Sequence, residues 1–277
     1  MLHRNFFTIL VATVGLKLCY LVTPAVAVIY FLVMPKRRRG ILQYAAALNP
    51  QLGWWGKIRF SLRVCKNHIR SLFDSASIPS GVISVGCFGE EVIDRAVERK
   101  QGVIILSTHL GPWRSVFRKL KFLKNVYILG DRSRGHLWKD KFMSNEKIRD
   151  KVIDLANDSD GFSLLAAFFA LKQGELVGMA GDRMNENRRR PVKLLNHNAY
   201  LPLAPFLLAN KTGALIVPVF AYKVSSKKIM LFFGNAISPS GDAREMQLQY
   251  VRILEENILK YPDRFFPPSG DWLEPLS

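Results

Sequence analysis

Cysteine is scarce in this sequence, with only Cys19, Cys65 and Cys87 among 277 residues. The number is odd and no pair has a Cys-x-x-Cys spacing, which argues against a disulfide framework and against a zinc site. We therefore expect a cytosolic, reducing environment for the main domain, in which each thiol packs as a small apolar group. The sequence also lacks internal repeats and low-complexity linkers, and its length suits one large domain or two small ones.

Acidic residues are also few. Asp and Glu number 22 against 40 Lys and Arg, which gives a formal net charge of +18 and a pI of about 10.0. Such an excess favours an anionic partner, either nucleic acid, an anionic membrane or a phosphorylated lipid. The basic residues lack the aromatic interleaving of single-strand-binding platforms, and no helix-turn-helix or zinc-finger pattern occurs. We therefore expect a lipid or membrane partner and no nucleic acid.

The N-terminal segment is almost free of charge. Between Asn5 and Met34 only Lys17 is charged, and a basic run, Lys-Arg-Arg-Arg, follows at 36–39. The uncharged part is short for a bilayer, but it reaches the required length if Lys17 snorkels to the interface. Basic residues beside an apolar segment tend to stay on the cytoplasmic side. We predict a membrane anchor over residues 1–39, with a cleaved signal peptide or a buried core helix as alternatives.

Beyond the anchor, helical and strand patterns alternate. Residues 40–75 read as helical, and paired Trp54 and Trp55 fit either a membrane interface or the core. Apolar runs bounded by turn residues then predict buried strands separated by helices. This alternation predicts an α/β domain over residues 40–277, with a mainly parallel central sheet flanked by helices. The predicted strands are 82–85, 102–107, 126–129, 176–180, 214–220 and 228–233, and the predicted helices are 90–100, 162–172, 201–211 and one that begins at Asp242.

Two polar groups follow predicted strands directly. His109 comes after the strand 102–107, and Asp182 with Arg183 comes after the strand 176–180. In α/β folds, the loops that leave the carboxyl ends of strands carry the chemistry. A neutral imidazole, with an ordinary pKa near 6.5, can accept a hydroxyl proton at neutral pH. The local pattern alone predicts either a catalytic base or a structural His at a strand end.

A family resemblance favours the catalytic base. The segment 107–113, Ser-Thr-His-Leu-Gly-Pro-Trp, resembles the His-x-Gly-Asn-Trp-Glu motif of the lipid A late acyltransferases, which belong to the wider lysophospholipid acyltransferase family. The similarity continues through Ala-Gly-Asp-Arg at 180–183 and the stretch 201–220. It extends to the apolar N terminus and to the C-terminal helix that precedes Tyr261, and so covers most of the chain.

This resemblance implies a membrane-attached acyltransferase at the cytoplasmic side of the bacterial inner membrane. The donor is an acyl thioester on a carrier protein or on coenzyme A, and the acceptor is a hydroxyl of lipid A. His109 would be the general base, and the reaction needs neither a cofactor nor a metal ion. Transfer to a lysophospholipid uses the same constellation of residues and remains the alternative activity.

The sequence departs from the family at one position. The family has an acidic residue five positions after the His, whereas this chain has Arg114. An arginine cannot orient the imidazole or stabilise the imidazolium. Three explanations remain open. First, another carboxylate orients His109, with Asp182 as the first candidate and Glu90 or Glu91 as the second. Second, the acyl group is unusual, as in the branch of the family that transfers glycine. Third, the chain is a catalytically degenerate relative that binds lipid.

Substrate-binding residues are predicted around the same two motifs. In the family, the Asp-Arg block helps to bind the acceptor headgroup, and a guanidinium can hold a phosphate through two parallel hydrogen bonds. Further basic residues at 188–190 and along 114–124 would face lipid A phosphates or an acidic carrier protein. The C-terminal aromatic residues at 265, 266 and 272 would line an acyl pocket or pack in the core. The predicted substrate-binding residues are Trp113, Arg114, Arg118 and Arg183.

Overall fold

The computed structural model of the chain describes residues 6–120, 126–130, 152–154, 162–183 and 191–275. The predicted α/β fold, with helices around a mostly parallel sheet and an apolar N-terminal helix, is confirmed. A 3-10 turn (Pro262–Arg264) precedes the C-terminal segment. The α-helices in the described ranges are α1 (Phe6–Val33), α2 (Pro35–Leu48), α3 (Trp54–Ala76), α4 (Glu91–Glu98), α5 (Arg114–Leu120), α6 (Phe162–Lys172), α7 (Ala204–Thr212) and α8 (Ala243–Lys260).

The central sheet has seven strands in the order β1-β9-β8-β2-β5-β3-β4, and a second, three-stranded sheet has the order β10-β7-β6. In the central sheet every neighbouring pair is parallel except β8 with β9. The strands are β1 (Ser84–Phe88), β2 (Val103–Ser107), β3 (Val126–Gly130), β4 (Val152–Asp154), β5 (Leu176–Ala180), β6 (Pro191–Leu194), β7 (His197–Tyr200), β8 (Leu215–Ser225), β9 (Lys228–Phe233) and β10 (Leu273–Pro275).

Strand β2 lies in the middle of the central sheet and is buried along its whole length. Its unbroken apolar run suits a parallel strand that is covered on both faces. Strand β5 pairs with it so that Ala180 lies opposite Ser107. His109 and Asp182 each lie two residues beyond that pair. The register of one strand pair therefore brings the two predicted site residues to the same edge of the sheet.

The C-terminal segment closes over the loop that follows β2. Leu110 forms an isolated antiparallel bridge with Phe265. The amide of Gly111 donates to the carbonyl of Arg264 (2.9 Å), and the amide of Phe266 donates to the carbonyl of His109 (2.8 Å). Phe265 and Phe266 are both buried, so their side chains pack in the core of the domain. These main-chain bonds hold the His109 loop in place, although the C-terminal segment lies about 155 residues later in the sequence.

Helix α1 packs along α3 and contains the segment Ile9–Val33, which is long and apolar enough to cross a membrane. Most of this segment is exposed. A break at Gly15, where φ is 80°, separates its first two turns from the rest. Trp54 and Trp55, at the start of α3, are 62% and 73% exposed, so the alternative that they belong to the core is wrong.

A buried polar cluster joins α1 to α3 and β8. Lys223 on β8 forms an ion pair with Asp74 on α3, with Nζ and Oδ1 2.6 Å apart. The hydroxyl of Tyr20 on α1 donates to the same carboxylate and accepts a hydrogen bond from Lys223. Asp74 is only 4% exposed. Because a buried charge is costly once it loses a partner, this cluster opposes separation of α1 from the domain.

Two glycines with positive φ allow a controlled test of how tightly the His109 loop is packed. Gly111 has φ +61°, and a Cβ there would lie 2.4 Å from the carbonyl oxygen of Ala221, whereas Gly213 has φ +77° and open space around it. We expect Gly213→Ala to lower the free energy of unfolding by about 1–3 kcal/mol through backbone strain alone. Gly111→Ala adds a clash with the backbone of Ala221 and should therefore lower the free energy of unfolding by clearly more than Gly213→Ala does. Chemical unfolding of the full chain in detergent measures both, and equal losses would contradict the tight packing of the loop.

Candidate active site

His109 and Asp182 form a pair at the carboxyl ends of β2 and β5. The imidazole Nδ1 lies 2.9 Å from Oδ1 and 3.1 Å from Oδ2 of Asp182. The backbone amide of His109 also donates to Oδ2, at 3.1 Å. An ionised carboxylate only accepts hydrogen bonds, so a neutral imidazole in this position carries its proton on Nδ1. The lone pair is then on Nε2, the nitrogen that can take a proton from a substrate.

Arg183 is the second side chain that binds the carboxylate of Asp182. Its Nη1 donates to Oδ2 of Asp182 at 2.8 Å and to the carbonyl of the same residue at 3.2 Å. Its Nη2 donates to the carbonyls of Phe266 and Pro267. One guanidinium thus ties the end of β5 to the C-terminal segment. The carboxylate of Asp182, which is fully buried, accepts hydrogen bonds from both neighbours.

The pKa values of the pair follow from burial and from these charges. Burial by itself raises the pKa of Asp182, but the positive charge of Arg183 and the hydrogen bonds from His109 outweigh it and hold the pKa at about 2. Burial and the charge of Arg183 lower the pKa of His109 to about 4, although Asp182 pulls it upward. At neutral pH the carboxylate is therefore ionised and the imidazole is neutral, as a general base requires.

The glycine before Asp182 makes room for a buried tyrosine beneath the site. A Cβ at Gly181 would lie 2.3 Å from the hydroxyl oxygen of Tyr250 on α8. The same tyrosine has a pKa raised well above its usual value, first by burial and then by the charge of Asp182. Gly181 also donates its amide to the carbonyl of Ser107 (2.7 Å), which extends the β2–β5 ladder by one bond. The Gly-Asp pair in the sequence therefore reflects close packing beneath the site.

His68 on α3 is a neighbour of the pair that local sequence patterns did not indicate. Its ring stacks on Phe266, with centroids 3.6 Å apart and an angle of 9° between the planes. Burial lowers the pKa of His68 well below its usual value, and the charges of Arg114, His109, Arg37 and Arg183 lower it further. A second neutral imidazole therefore lies close to His109.

Arg37 on α2 is the other neighbour that the sequence did not indicate. Its guanidinium lies 5.3 Å from the centroid of the Phe266 ring. Its charge also lowers the pKa values of His109 and Arg183. Arg37 belongs to the basic run that we assigned to the membrane flank. No local sequence signal connects this run with the His109 motif, which lies about 70 residues later.

The other predicted site residues fall at different places. The ring of Trp113 lies 4.1 Å from that of His109, and its Nε1, which is buried, has no hydrogen-bond partner among the described residues. The guanidinium of Arg114 lies 5.6 Å from the Trp113 ring. The side chain of Arg118 and the basic residues 188–190 lie outside the described part of the chain.

Glu90 and Glu91 are not placed to orient His109. Both are exposed and lie at the start of α4, which follows the edge strand β1. Three strand spacings separate β1 from β2, or about 14 Å at the usual distance between neighbouring strands. Within the described ranges, no group of three or more His, Cys, Asp or Glu side chains could hold a metal ion.

One comparison with known proteins identifies a family. The family model described as bacterial lipid A biosynthesis acyltransferase matches residues 60–272. The matched part contains His109, Asp182 and Arg183, together with His68, and it begins after α1 and α2. No curated protein matches the chain at a significant level of similarity.

The low pKa of His109 leads to a prediction about pH. Below about pH 6.5 an unfolded chain protonates this imidazole, whereas the folded chain does so only near pH 4. The free energy of unfolding should therefore decrease as the pH falls from about 6.5 to about 4, and the contribution of His109 to this decrease should be complete below pH 4.

Arg183→Gln removes a positive charge and should raise the pKa of His109, as measured by NMR of labelled imidazoles. Arg252→Gln, an exposed site on α8, is the matched control. A His109 that titrates near pH 6.5 in the unaltered chain would contradict this account.

Proposed function

The chain belongs to the bacterial lipid A biosynthesis acyltransferase family, and from this membership we propose that it moves an acyl group from a carrier-protein thioester to a hydroxyl of lipid A. The observation that supports the proposal most directly is the contact between His109 and Asp182, both of which lie in the matched segment. The match confirms the family expected from the sequence. The donor, the glycyl branch and the role of His109 stay predictions.

The proposed reaction is a single acyl transfer without a covalent enzyme intermediate. Nε2 of His109 takes the proton of the acceptor hydroxyl, and the resulting oxygen nucleophile attacks the thioester carbonyl. The tetrahedral intermediate then expels the thiolate, which takes the proton back from the imidazolium. Trp113 Nε1 is a donor beside His109 that has no partner among the described residues, and it could therefore stabilise the oxyanion.

Asp182 takes the role that the family's missing acidic residue would have. It holds the Nδ1 proton and stabilises the imidazolium that forms during the reaction. Arg114 stands where the family has its carboxylate, and Asp182 reaches the imidazole from β5 instead of from the same loop. An intact, ionised partner of this kind argues against a catalytically degenerate relative.

The charges near His109 favour a neutral acyl group over a glycyl group. The guanidinium groups of Arg37, Arg114 and Arg183 all act on the pKa of the neighbouring His68. A glycyl thioester carries an amine that is largely protonated at neutral pH, because an α-amino group has a pKa of about 7.7–8.0. The arginines would repel that charge and attract the phosphates of the acceptor. We therefore propose a fatty acyl donor, with lipid A as the anionic acceptor.

Attachment to the inner membrane is the second part of the proposal. The acceptor of this family is a lipid, and the chain has one described helix that is apolar enough to enter a bilayer. The basic run at 36–39 follows that helix directly and would meet anionic headgroups on the cytoplasmic side.

Two variants test the catalytic pair. His109→Ala should abolish transfer, because it removes the imidazole that takes the hydroxyl proton in the proposed reaction. Asp182→Asn should lower kcat by about 10²–10⁴-fold, in line with other orienting carboxylates, and should change KM much less. Transfer is measured with the purified full chain, an acylated carrier protein and a lipid A acceptor. Asp94→Asn, an exposed carboxylate on α4, is the matched control and should behave as the unaltered chain. Full activity in His109→Ala would show that the base is elsewhere.

Mass spectrometry of lipid A identifies the group transferred. Cells that express the chain should gain lipid A heavier by one fatty acyl group, and cells that express His109→Ala should not. A gain of one glycyl residue would contradict the neutral donor. Lipid A that stays unchanged, together with a newly acylated lysophospholipid, would instead support the alternative acceptor.

A further inference from the structure

Helix α1 has two faces with different surroundings. One face packs against α3 through residues spaced four apart, with Cys19, Thr23, Ala27 and Phe31 all no more than 7% exposed. This spacing forms one continuous stripe along a helix. The opposite face is a second stripe of large apolar residues, each more than half exposed. These residues are Leu18 (54%), Leu21 (74%), Ile29 (59%) and Leu32 (61%).

The helix that covers α1 is unsuited to the interior of a bilayer. The buried stripe of α1 beyond the break at Gly15 runs from Cys19 to Phe31, about 18 Å of helix at 1.5 Å per residue, against a hydrocarbon core about 30 Å thick. A crossing α1 would therefore carry the face that packs on α3 into the bilayer. Charged side chains are costly near the bilayer centre. Helix α3 carries Lys57, Arg59, Arg63, Lys66 and Arg70 along its length.

Helix α1 could cross the bilayer without the charged helix α3 only if the two helices separated, and the contacts of Tyr20 oppose that separation. The hydroxyl of Tyr20, near the middle of α1, is bound to the buried Asp74 and Lys223. If α1 left the domain to cross the bilayer, that hydroxyl would enter the hydrocarbon region and the buried ion pair would lose a partner. The contacts between α1 and α3 therefore persist when the protein is on a membrane.

We propose that α1 does not cross the membrane but lies in the plane of its cytoplasmic interface. The stripe Leu18, Leu21, Ile29 and Leu32 enters the acyl region of an anionic bilayer, while the opposite face stays on α3. The N terminus and the catalytic domain are then on the same side. This inference rests on the membrane attachment proposed above and adds the orientation of the helix.

Basic and aromatic groups at the end of α1 fit the headgroups of such a bilayer. Arg38 donates to the carbonyl of Leu32, so it adjoins the exposed stripe. It also lines a shallow surface pocket together with Arg39, Trp54 and Lys57. Cations and an exposed tryptophan beside an apolar face are typical of protein segments at a membrane interface.

The same end of α1 leads to the candidate active site. Tyr30 on α1 lies 6.3 Å from Phe266, measured between ring centroids, and Arg37 lies over the same ring. Phe266 in turn donates its amide to the carbonyl of His109. An in-plane α1 would therefore hold the catalytic residues at headgroup depth, where the hydroxyl of a lipid acceptor is reached without removing its chains from the membrane.

Depth measurements on spin labels test this orientation. Single cysteines replace Leu18, Leu21, Ile29 and Leu32 in a Cys87→Ser background, since Cys19 and Cys65 are buried. The labelled full chain is bound to vesicles of phosphatidylglycerol and phosphatidylethanolamine. All four labels should show one common, shallow depth. A crossing helix would instead spread them over about 21 Å, the rise of fourteen residues, and this result would overturn the proposal. A label at Arg252→Cys should stay in water.

Protection of terminal tags gives an independent answer. The full chain carries one peptide tag at each end, and inner-membrane vesicles with the cytoplasmic face outward are treated with protease. Both tags should be digested without detergent. An N-terminal tag that is protected until detergent is added, beside a digested C-terminal tag, would show that α1 crosses and would leave the catalytic assignment untouched. Recovery of the chain in the soluble fraction would overturn the attachment itself.

Discussion

The buried carboxylate of Asp182 is the constraint on which the rest of the site depends. It accepts hydrogen bonds from the imidazole and the amide of His109 and from the guanidinium of Arg183. Arg183 extends the network to the C-terminal segment, and that segment bonds back to the His109 loop. A buried charge of this kind is stable only when each partner is in position. The site is therefore a closed ring of contacts that joins β2, β5 and the C-terminal segment.

The positive charges around this ring have a consequence for the proposed base. At a pKa of about 4, His109 is neutral in the free protein but is a weaker base than an ordinary histidine. Burial lowers the pKa of His109 most, and the charges of Arg183 and Arg37 lower it further. An anionic acceptor bound near these two arginines would offset their charges and raise the pKa of His109. Binding of a phosphorylated lipid would then strengthen the base at the moment it is needed. In the proposed reaction, the charges that attract the acceptor would thus also couple its binding to the proton transfer.

In the proposed orientation, the position of α1 connects the candidate active site with the membrane. Its buried stripe and the Tyr20–Asp74–Lys223 cluster hold it on the domain, and its C-terminal end adjoins Phe266. A lipid acceptor keeps its acyl chains in the bilayer, so an enzyme that acts on its headgroup benefits from a site at the interface. In the proposed orientation, the helix that attaches the protein also sets the height of His109 above the membrane.

The sequence by itself determined the fold class, the central strands and the family, because unbroken apolar runs and the residues around His109 are local signals. It also suggested Asp182, since a residue directly after a parallel strand lies at the functional edge of a sheet. It left Asp182 and the two glutamates as competing partners of His109, because strand order and register are not local properties. Only the tertiary structure placed β5 beside β2 and β1 three strands away. It alone brought His68 and Arg37 to the site, and it alone showed that α1 packs against α3, a helix that carries five basic residues between Lys57 and Arg70. The physical reason is the same in each case: these contacts join residues that are far apart in the chain, and packing, not local sequence, decides which of them meet.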